Sequence, residues 1–296
     1  MNTLATYDLH LHTYWSHDAS AAPESHLRRA RRLGVRWIAI TEHYHLDSLP
    51  ELLPAAAGYP EVTPIPSAEL TISTSIGDVD LLCHGLPLSQ PPALRELLRR
   101  YREWRIETGR AVVRGLRELG CEIDEDGFMD LARTYRPDDV VDRQGLTQLR
   151  GEVLRRYLLE TGRIADDAGF AAFRERAKGV GGAPPYPPVA EVVPVVKGLG
   201  GVVSIAHPHG HFRQGDRTRM DALREEIGFD GIECAHPKVP GEFTPFYRAY
   251  CVEHGLVSTG GSDSHSEADI EAGFAAHLGA DEWMEELLER LPSVSS

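Results

Sequence analysis

The sequence predicts an α/β fold, a β/α barrel of seven strands with a helical subdomain inserted into it. Three observations carry this expectation. Seven short apolar runs recur along the chain with helical segments in most of the gaps. Each run ends at or near a histidine or carboxylate. One long stretch, residues 93 to 179, breaks the rhythm with helical periodicity and almost no strand signal.

The strand candidates are residues 6–10, 36–41, 62–66, 79–84, 202–206, 231–234 and 256–259. Between them, residues 23–33 alternate arginines with apolar residues and stop at Gly34, residues 189–199 precede Gly200 and Gly201, and residues 216–227 stop at Gly228. The interruption is rich in Arg, Glu and Leu, as in LRELLRRYREWRIETGRAVVRGLRELG and LTQLRGEVLRRYLLETG. The segment GVGGAPPYPPV (179–189) then returns the chain to the barrel as a Gly- and Pro-rich linker. Residues 1–92 and 180–296 therefore form the barrel, and 93–179 the insertion.

Composition limits the function classes. With 296 residues and 42% hydrophobic content the chain has enough apolar material for a barrel-sized core. The cysteines, Cys83, Cys121, Cys234 and Cys251, lack CxxC spacing and read as reduced thiols. No signal-peptide pattern and no membrane-spanning run are expected, so a cytoplasmic protein without a membrane partner is the expectation. A formal charge of -14 argues against life on duplex nucleic acid, whose binding rests on Lys and Arg. Arginines concentrated between Arg95 and Arg176 keep a small anionic ligand admissible.

The chemistry lies in seven segments: DLHLHTYWSHDAS (8–20), RWIAITEH (36–43), PIPSAEL (64–70), DVDLLCHGL (78–86), GGVVSIAHPHGH (200–211), GFDGIECAHP (228–237) and GLVSTGGSDSH (255–265). Side chains alternate along a strand, so His10 and His12 project to one side, as do Asp263 and His265, and each pair can grip a common ion. His10, His12, Asp18, His43, Glu69, His84, His207, Asp263 and His265 offer six imidazoles and three carboxylates. That is too many donors for one tetrahedral ion. Two or three divalent ions are expected, and nitrogen and oxygen donors without thiolate suit Mn, Zn or Fe. Glu69 is placed to bridge two of them, and Glu233 to orient a ligand histidine. Parallel barrels collect such groups at the carboxyl ends of their strands.

These motifs resemble the PHP (polymerase and histidinol phosphatase) family: HxH with an acidic residue following, TEH ending in His43, Glu69, His84, AHP beginning at His207, and SDSH. The resemblance implies a distorted (β/α)7 barrel carrying up to three metal ions. The order LRGEVLRRYLLETGRI, APPYPPV, GLGGVVSIAHP and FDGIECAHP is similar to the TrpH-type metal-dependent phosphoesterase branch, whose members act on nucleotide phosphomonoesters and short oligonucleotides. In HDAS, Asp18 sits one place later than the usual acidic ligand and His17 occupies the usual position. Asp18 is favoured for its charge, with His17 as the alternative, and the metal content of D18A against H17A separates them.

The function expected is hydrolysis of a small, nucleotide-like phosphomonoester by a metal-bound hydroxide, which needs no protein nucleophile. No GxSxG elbow or Walker loop is present. His17 and His209 are candidate proton donors, and Arg213, Arg143 and Arg150 candidate phosphate contacts. Rival readings are another metal-dependent hydrolysis, of a cyclic phosphodiester or an amide, a single-strand exonuclease, and a noncatalytic module with a relic site. The insertion leaves after the strand bearing His84 and returns before that bearing His207, so it is expected to cap the active site. Replacing Arg143, Arg150 or Arg213 singly with Ala should raise KM before it alters metal content. Where a charge-assisted contact is lost, transition-state stabilisation of an anionic substrate, read from kcat/KM, should weaken by on the order of 1.5 to 3 kcal/mol. Wild-type kinetics in all three would remove the capping expectation.

Overall fold

Alternation along the first strand decides which residues enter the barrel. In the computed structural model, which describes residues 4–121, 124–148, 151–177 and 182–292, β1 (Tyr7–Leu11) turns Tyr7 and Leu9 into an apolar cluster with Val257, Met284 and Leu287. Asp8 and His10 are left on the inner face.

The further strands are β2 (Trp37–His43), β3 (Thr63–Pro64), β4 (Ser67–Thr74), β5 (Gly77–His84), β6 (Val202–Ile205), β7 (Gly231–Ala235) and β8 (Val257–Gly260). Seven of them follow the path β1-β2-β4-β5-β6-β7-β8, and β3 pairs β2 off that path. The path nearly closes. Asp263 N donates to His10 O at 2.8 Å and His12 N to Ser264 O at 3.0 Å, so the chain beyond β8 lies along β1. Buried Asp8 fastens that seam by accepting the amides of Ser262 at 2.9 Å and Ala275 at 2.8 Å. Gly261 passes so near β1 that a Cβ there would collide with His10 and Glu233. Only glycine fits.

Neighbouring strands are parallel except at β5, which runs antiparallel to both β4 and β6. The strand expected at residues 62–66 is reduced to β3, and the barrel strand proper is β4, paired with β5 across a two-residue turn. Its sequence explains the shift. Ser67, Glu69, Thr71 and Ser73 alternate with Ala68, Leu70 and Ile72, so one polar face enters the barrel while an apolar face packs outside.

Helices Pro23–Leu33, Val189–Gly198 and Arg217–Ile227 occupy the expected segments, with Gly34 and Gly228 closing the first and third in the left-handed region. Helix Leu49–Ala56 was not anticipated. The four cysteines are buried and free. Among the described residues no helix is long and apolar enough to cross a membrane.

The chain divides into two compact units, the second formed by Tyr14–Ser20 and Arg99–Pro185. Within it Val113, Leu116, Phe128, Val141, Val153 and Leu158 build a separate apolar core. Trp104 Nε1 donates to Pro184 O at 3.1 Å and ties together the two ends of the long segment. The short segment is held by Gln148 Nε2 donating to Trp15 O at 3.0 Å and Glu152 N to His17 O at 3.1 Å.

Histidine 26, on the first helix, is buried and donates from Nε2 to the His12 carbonyl at 2.9 Å. Burial lowers its pKa to about 4, against the opposing pull of that carbonyl. The unfolded chain therefore binds the proton first as pH falls, and stability should drop between roughly pH 6.5 and 4, by up to about 3 kcal/mol from this group. In chelator-stripped protein, urea unfolding of His26→Gln should show a flatter acid limb than wild type. Equal slopes would contradict a neutral buried imidazole.

Candidate metal centre

Four side chains from three distant segments bring their donor atoms close together. His10 Nε2 lies 3.1 Å from His12 Nε2, 3.4 Å from Glu69 Oε2 and 3.3 Å from Asp263 Oδ1. His12 Nε2 lies 3.2 Å from Glu69 Oε2 and 3.5 Å from Asp263 Oδ1. Ligands at 2.0 to 2.2 Å around a tetrahedral ion stand about 3.3 to 3.6 Å apart, and these spacings of 3.1 to 3.5 Å are close to that. The residues fit a divalent transition metal.

Charge leads to the same result. Glu69, Glu233 and Asp263 are buried carboxylates, with side chains 2%, 0% and 8% exposed, and burying them together is costly without a cation. Burial alone would raise the Glu69 and Asp263 pKa values, but the surrounding histidines hold both well below the carboxylate range. Burial, reinforced by His265 and His43, lowers that of His12 and leaves its nitrogen a lone-pair donor. At His10 burial is outweighed by Glu233, Asp263 and Glu69, which raise its pKa well above the usual value. A proton held there marks where positive charge is wanted.

Two of the histidines are aimed by a neighbour. His10 Nδ1 meets Glu233 Oε1 at 3.0 Å, which presents Nε2 to the cage, and Glu233 Oε2 accepts the His207 amide at 2.6 Å. His265 Nδ1 donates to the Asp263 carbonyl at 2.7 Å and turns its other nitrogen inward. Asp263 and His207 both take positive φ, 55° and 26°, a strained backbone at the two strand exits.

Around this cage His12, His43 and His265 form a second group of donors lying within 4.8 Å of one another, and Asp80, His207 and His211 a third. Glu69 joins the groups. Its Oε2 faces His10, His12 and, at 3.3 Å, His43 Nδ1, while Oε1 faces His207 Nε2 at 3.2 Å. One carboxylate thus serves donors on both sides.

Over residues 8–250 the chain matches the PHP domain. It belongs to the PHP domain family. A solved structure of a proposed metal-dependent phosphoesterase from Bifidobacterium adolescentis is similar at 25% identity, with 97% of each chain covered and a TM-score of 0.76. Another, an amidohydrolase from Chromobacterium violaceum with bound sulfate and no metal, is similar at 25% identity over 88% of each chain with a TM-score of 0.69. No sequence among curated proteins matches.

Of the PHP residues expected from sequence, His10, His12, His43, Glu69, His207, Asp263 and His265 come together. His84 does not. Because β5 runs antiparallel, its last residue pairs with Ser67 and Val202, the first residues of β4 and β6, two residues before the level of Glu69. Its ring bonds Ser67 Oγ at 3.1 Å. The β5 residue near the cluster is Asp80, opposite Thr71, with its carbonyl accepting the Ala206 amide at 2.9 Å. His17 and Asp18 fall in the second unit, 3.7 Å apart. So does Arg143, exposed in the last turn of helix Asp138–Gln144 with its guanidinium over Trp15. Arg150 lies outside the described residues. His209 meets Tyr247 OH at 3.3 Å, and Arg213 is exposed.

Sequence reasoning missed Asp80, His211, His236 and Lys238. The last two flank the cage, with His236 Nε2 3.5 Å and Lys238 Nζ 2.5 Å from Asp263 Oδ2. The repeated HPHGH spacing and the acidic residue near the start of the β5 segment were the available signals. On this geometry His12→Ala and Asp263→Ala should strip the bound ion, whereas His84→Gln should keep wild-type metal content. Metal loss in His84→Gln, measured by elemental analysis, would restore it to the ligand set.

Proposed function

We propose that this PHP-domain chain is a metal-dependent hydrolase of phosphate esters, acting on a small, nucleotide-like phosphomonoester at a site of two or three ions. The observation that carries the reading is Glu69, buried, with one oxygen facing His10, His12 and His43 and the other facing His207. Divalent ions bound there would lower the pKa of coordinated water, polarise a phosphoryl oxygen and neutralise charge developing on it. The proposed phosphoesterase activity of the Bifidobacterium protein supports the ester class. The sulfate in the Chromobacterium structure supports a tetrahedral anion.

In this reading His10, His12, Glu69 and Asp263 hold one ion, and Glu233 fixes the His10 tautomer. His209 is the proton donor to the leaving oxygen, its ring steadied by Tyr247 and set edge-on to Phe243 at 4.7 Å between centroids. Half-buried Phe243 offers an aromatic face beside it, in keeping with a nucleotide-like leaving group. Lys238 and Arg213 supply positive charge for the phosphate. The cysteines are unsuited to nucleophilic attack, since burial pushes the Cys83 and Cys234 thiols far up.

The second reading, amide hydrolysis on the same ions, is favoured by the amidohydrolase name of the Chromobacterium protein. The deciding experiment reconstitutes the protein separately with Mn, Zn and Fe. It then screens phosphomonoesters, phosphodiesters, cyclic phosphates and N-acyl compounds, measuring free phosphate and free amine separately. Phosphate release from nucleoside monophosphates, lost in His12→Ala, is the expected result. Amine release alone would replace the phosphoesterase reading with the second one.

A further inference from the structure

We infer that Tyr44 is a positioning residue of this hydrolytic site, held in a strained backbone so that its hydroxyl fixes, through Thr71, the carboxylate of Asp80. The inference rests on the metal-dependent reading above and adds to it two residues outside the donor groups. Strand β2 ends at His43, which pairs with Glu69, and the Tyr44 amide still donates to Glu69 O at 2.9 Å. Strict alternation from His43 would send the Tyr44 side chain to the outer face of the barrel. It does not go there. Tyr44 takes φ 72°, in the left-handed region, and its buried side chain reaches β4, where the hydroxyl stands 2.9 Å from Thr71 Oγ1. Thr71 shares the inner face of β4 with Glu69. For a bulky residue this backbone conformation is an outlier, and glycine or asparagine would turn the chain there at less cost. What the strained residue supplies is therefore its side chain.

The hydrogen bonds run in one direction. Thr71 has a single hydroxyl proton and donates it to Asp80 Oδ1 at 2.6 Å, so its oxygen accepts the proton of Tyr44 OH. Thr71 and Asp80 are directly opposite each other in the β4–β5 pair, which keeps that second bond in register. With Oδ1 held in this way, Asp80 Oδ2 faces His211 Nε2 at 3.3 Å and His207 Nε2 at 3.8 Å. The tyrosine ring is itself steadied, with centroids 5.5 Å from His43 and 6.3 Å from Tyr186. Successive hydrogen bonds polarise one another in a low-dielectric interior, so the outer hydroxyl strengthens the bond on the carboxylate. A tyrosine present only to fill space would not need its hydroxyl aimed at a threonine already committed to Asp80.

The test is a double-mutant cycle of Tyr44→Phe, Thr71→Val and the pair together, with Asp80→Asn as the reference and Thr71→Ser as the conservative rescue. Chelator-stripped proteins, checked for folding by far-UV circular dichroism, are titrated with Mn by calorimetry. Phosphate release is then measured on the Mn-loaded proteins with the best ester from the screen above. Asp80→Asn should weaken a Mn-binding step. Thr71→Val should weaken the same step by about tenfold and Tyr44→Phe by about threefold, while Thr71→Ser keeps the wild-type value. The pair should lose no more than Thr71→Val alone, because Tyr44 acts only through Thr71. Turnover should fall in the same order, in kcat rather than KM. Wild-type Mn affinity and kcat in Tyr44→Phe would overturn the inference. So would a pair whose loss is the product of the two single losses, or wild-type Mn binding in Asp80→Asn. If the cycle holds for Mn binding in a protein that releases phosphate from no ester, the positioning role stands and the proposed function fails.

Discussion

Buried negative charge is the constraint on which the rest of this barrel depends. Glu69, Glu233 and Asp263 share a space nearly closed to water, and the imidazoles of His10, His12, His43, His207, His236 and His265 surround them. In a low-dielectric interior such a set is stable only when a cation, protonic or metallic, sits among it. The backbone is arranged to keep the set together. Asp8 fastens the seam after β8, Gly261 lets the chain pass against β1, and Asp263 and His207 adopt positive φ to turn their side chains inward.

Much of this was legible in the sequence, because the donors follow apolar runs whose period fixes their direction. His10 and His12 read as a pair from two-residue spacing, and so did Asp263 and His265. Glu233 was legible as an orienting group because it falls late in a strand whose neighbours already supply donors. Six of the seven strands on the path and the segments of the helices Pro23–Leu33 and Arg217–Ile227 were equally readable, since Gly34 and Gly228 mark where those helices stop.

What the sequence concealed was strand direction. An apolar run ending in histidine looks the same whether it runs up or down a barrel, and β5 runs against both neighbours. That reversal pairs His84 with the first residues of β4 and β6 and brings Asp80 up to the cluster. The cause is itself local. The polar face of β4, which faces the interior, made SAELTIST a poor match to an apolar strand, so the β4–β5 hairpin was not visible as one. His211 was hidden for a different reason, since a histidine one helical turn after His207 acquires meaning only when a carboxylate stands opposite it.

The central claim is that the cage of His10, His12, Glu69 and Asp263 is a metal site. Its most direct test is a crystal structure of Mn-reconstituted protein with anomalous scattering recorded above and below the manganese edge. An anomalous peak about 2.0 to 2.2 Å from His10 Nε2, His12 Nε2 and the nearer oxygens of Glu69 and Asp263 is the predicted result. A fully reconstituted crystal with no peak inside that cage, or with manganese bound only elsewhere, would contradict it.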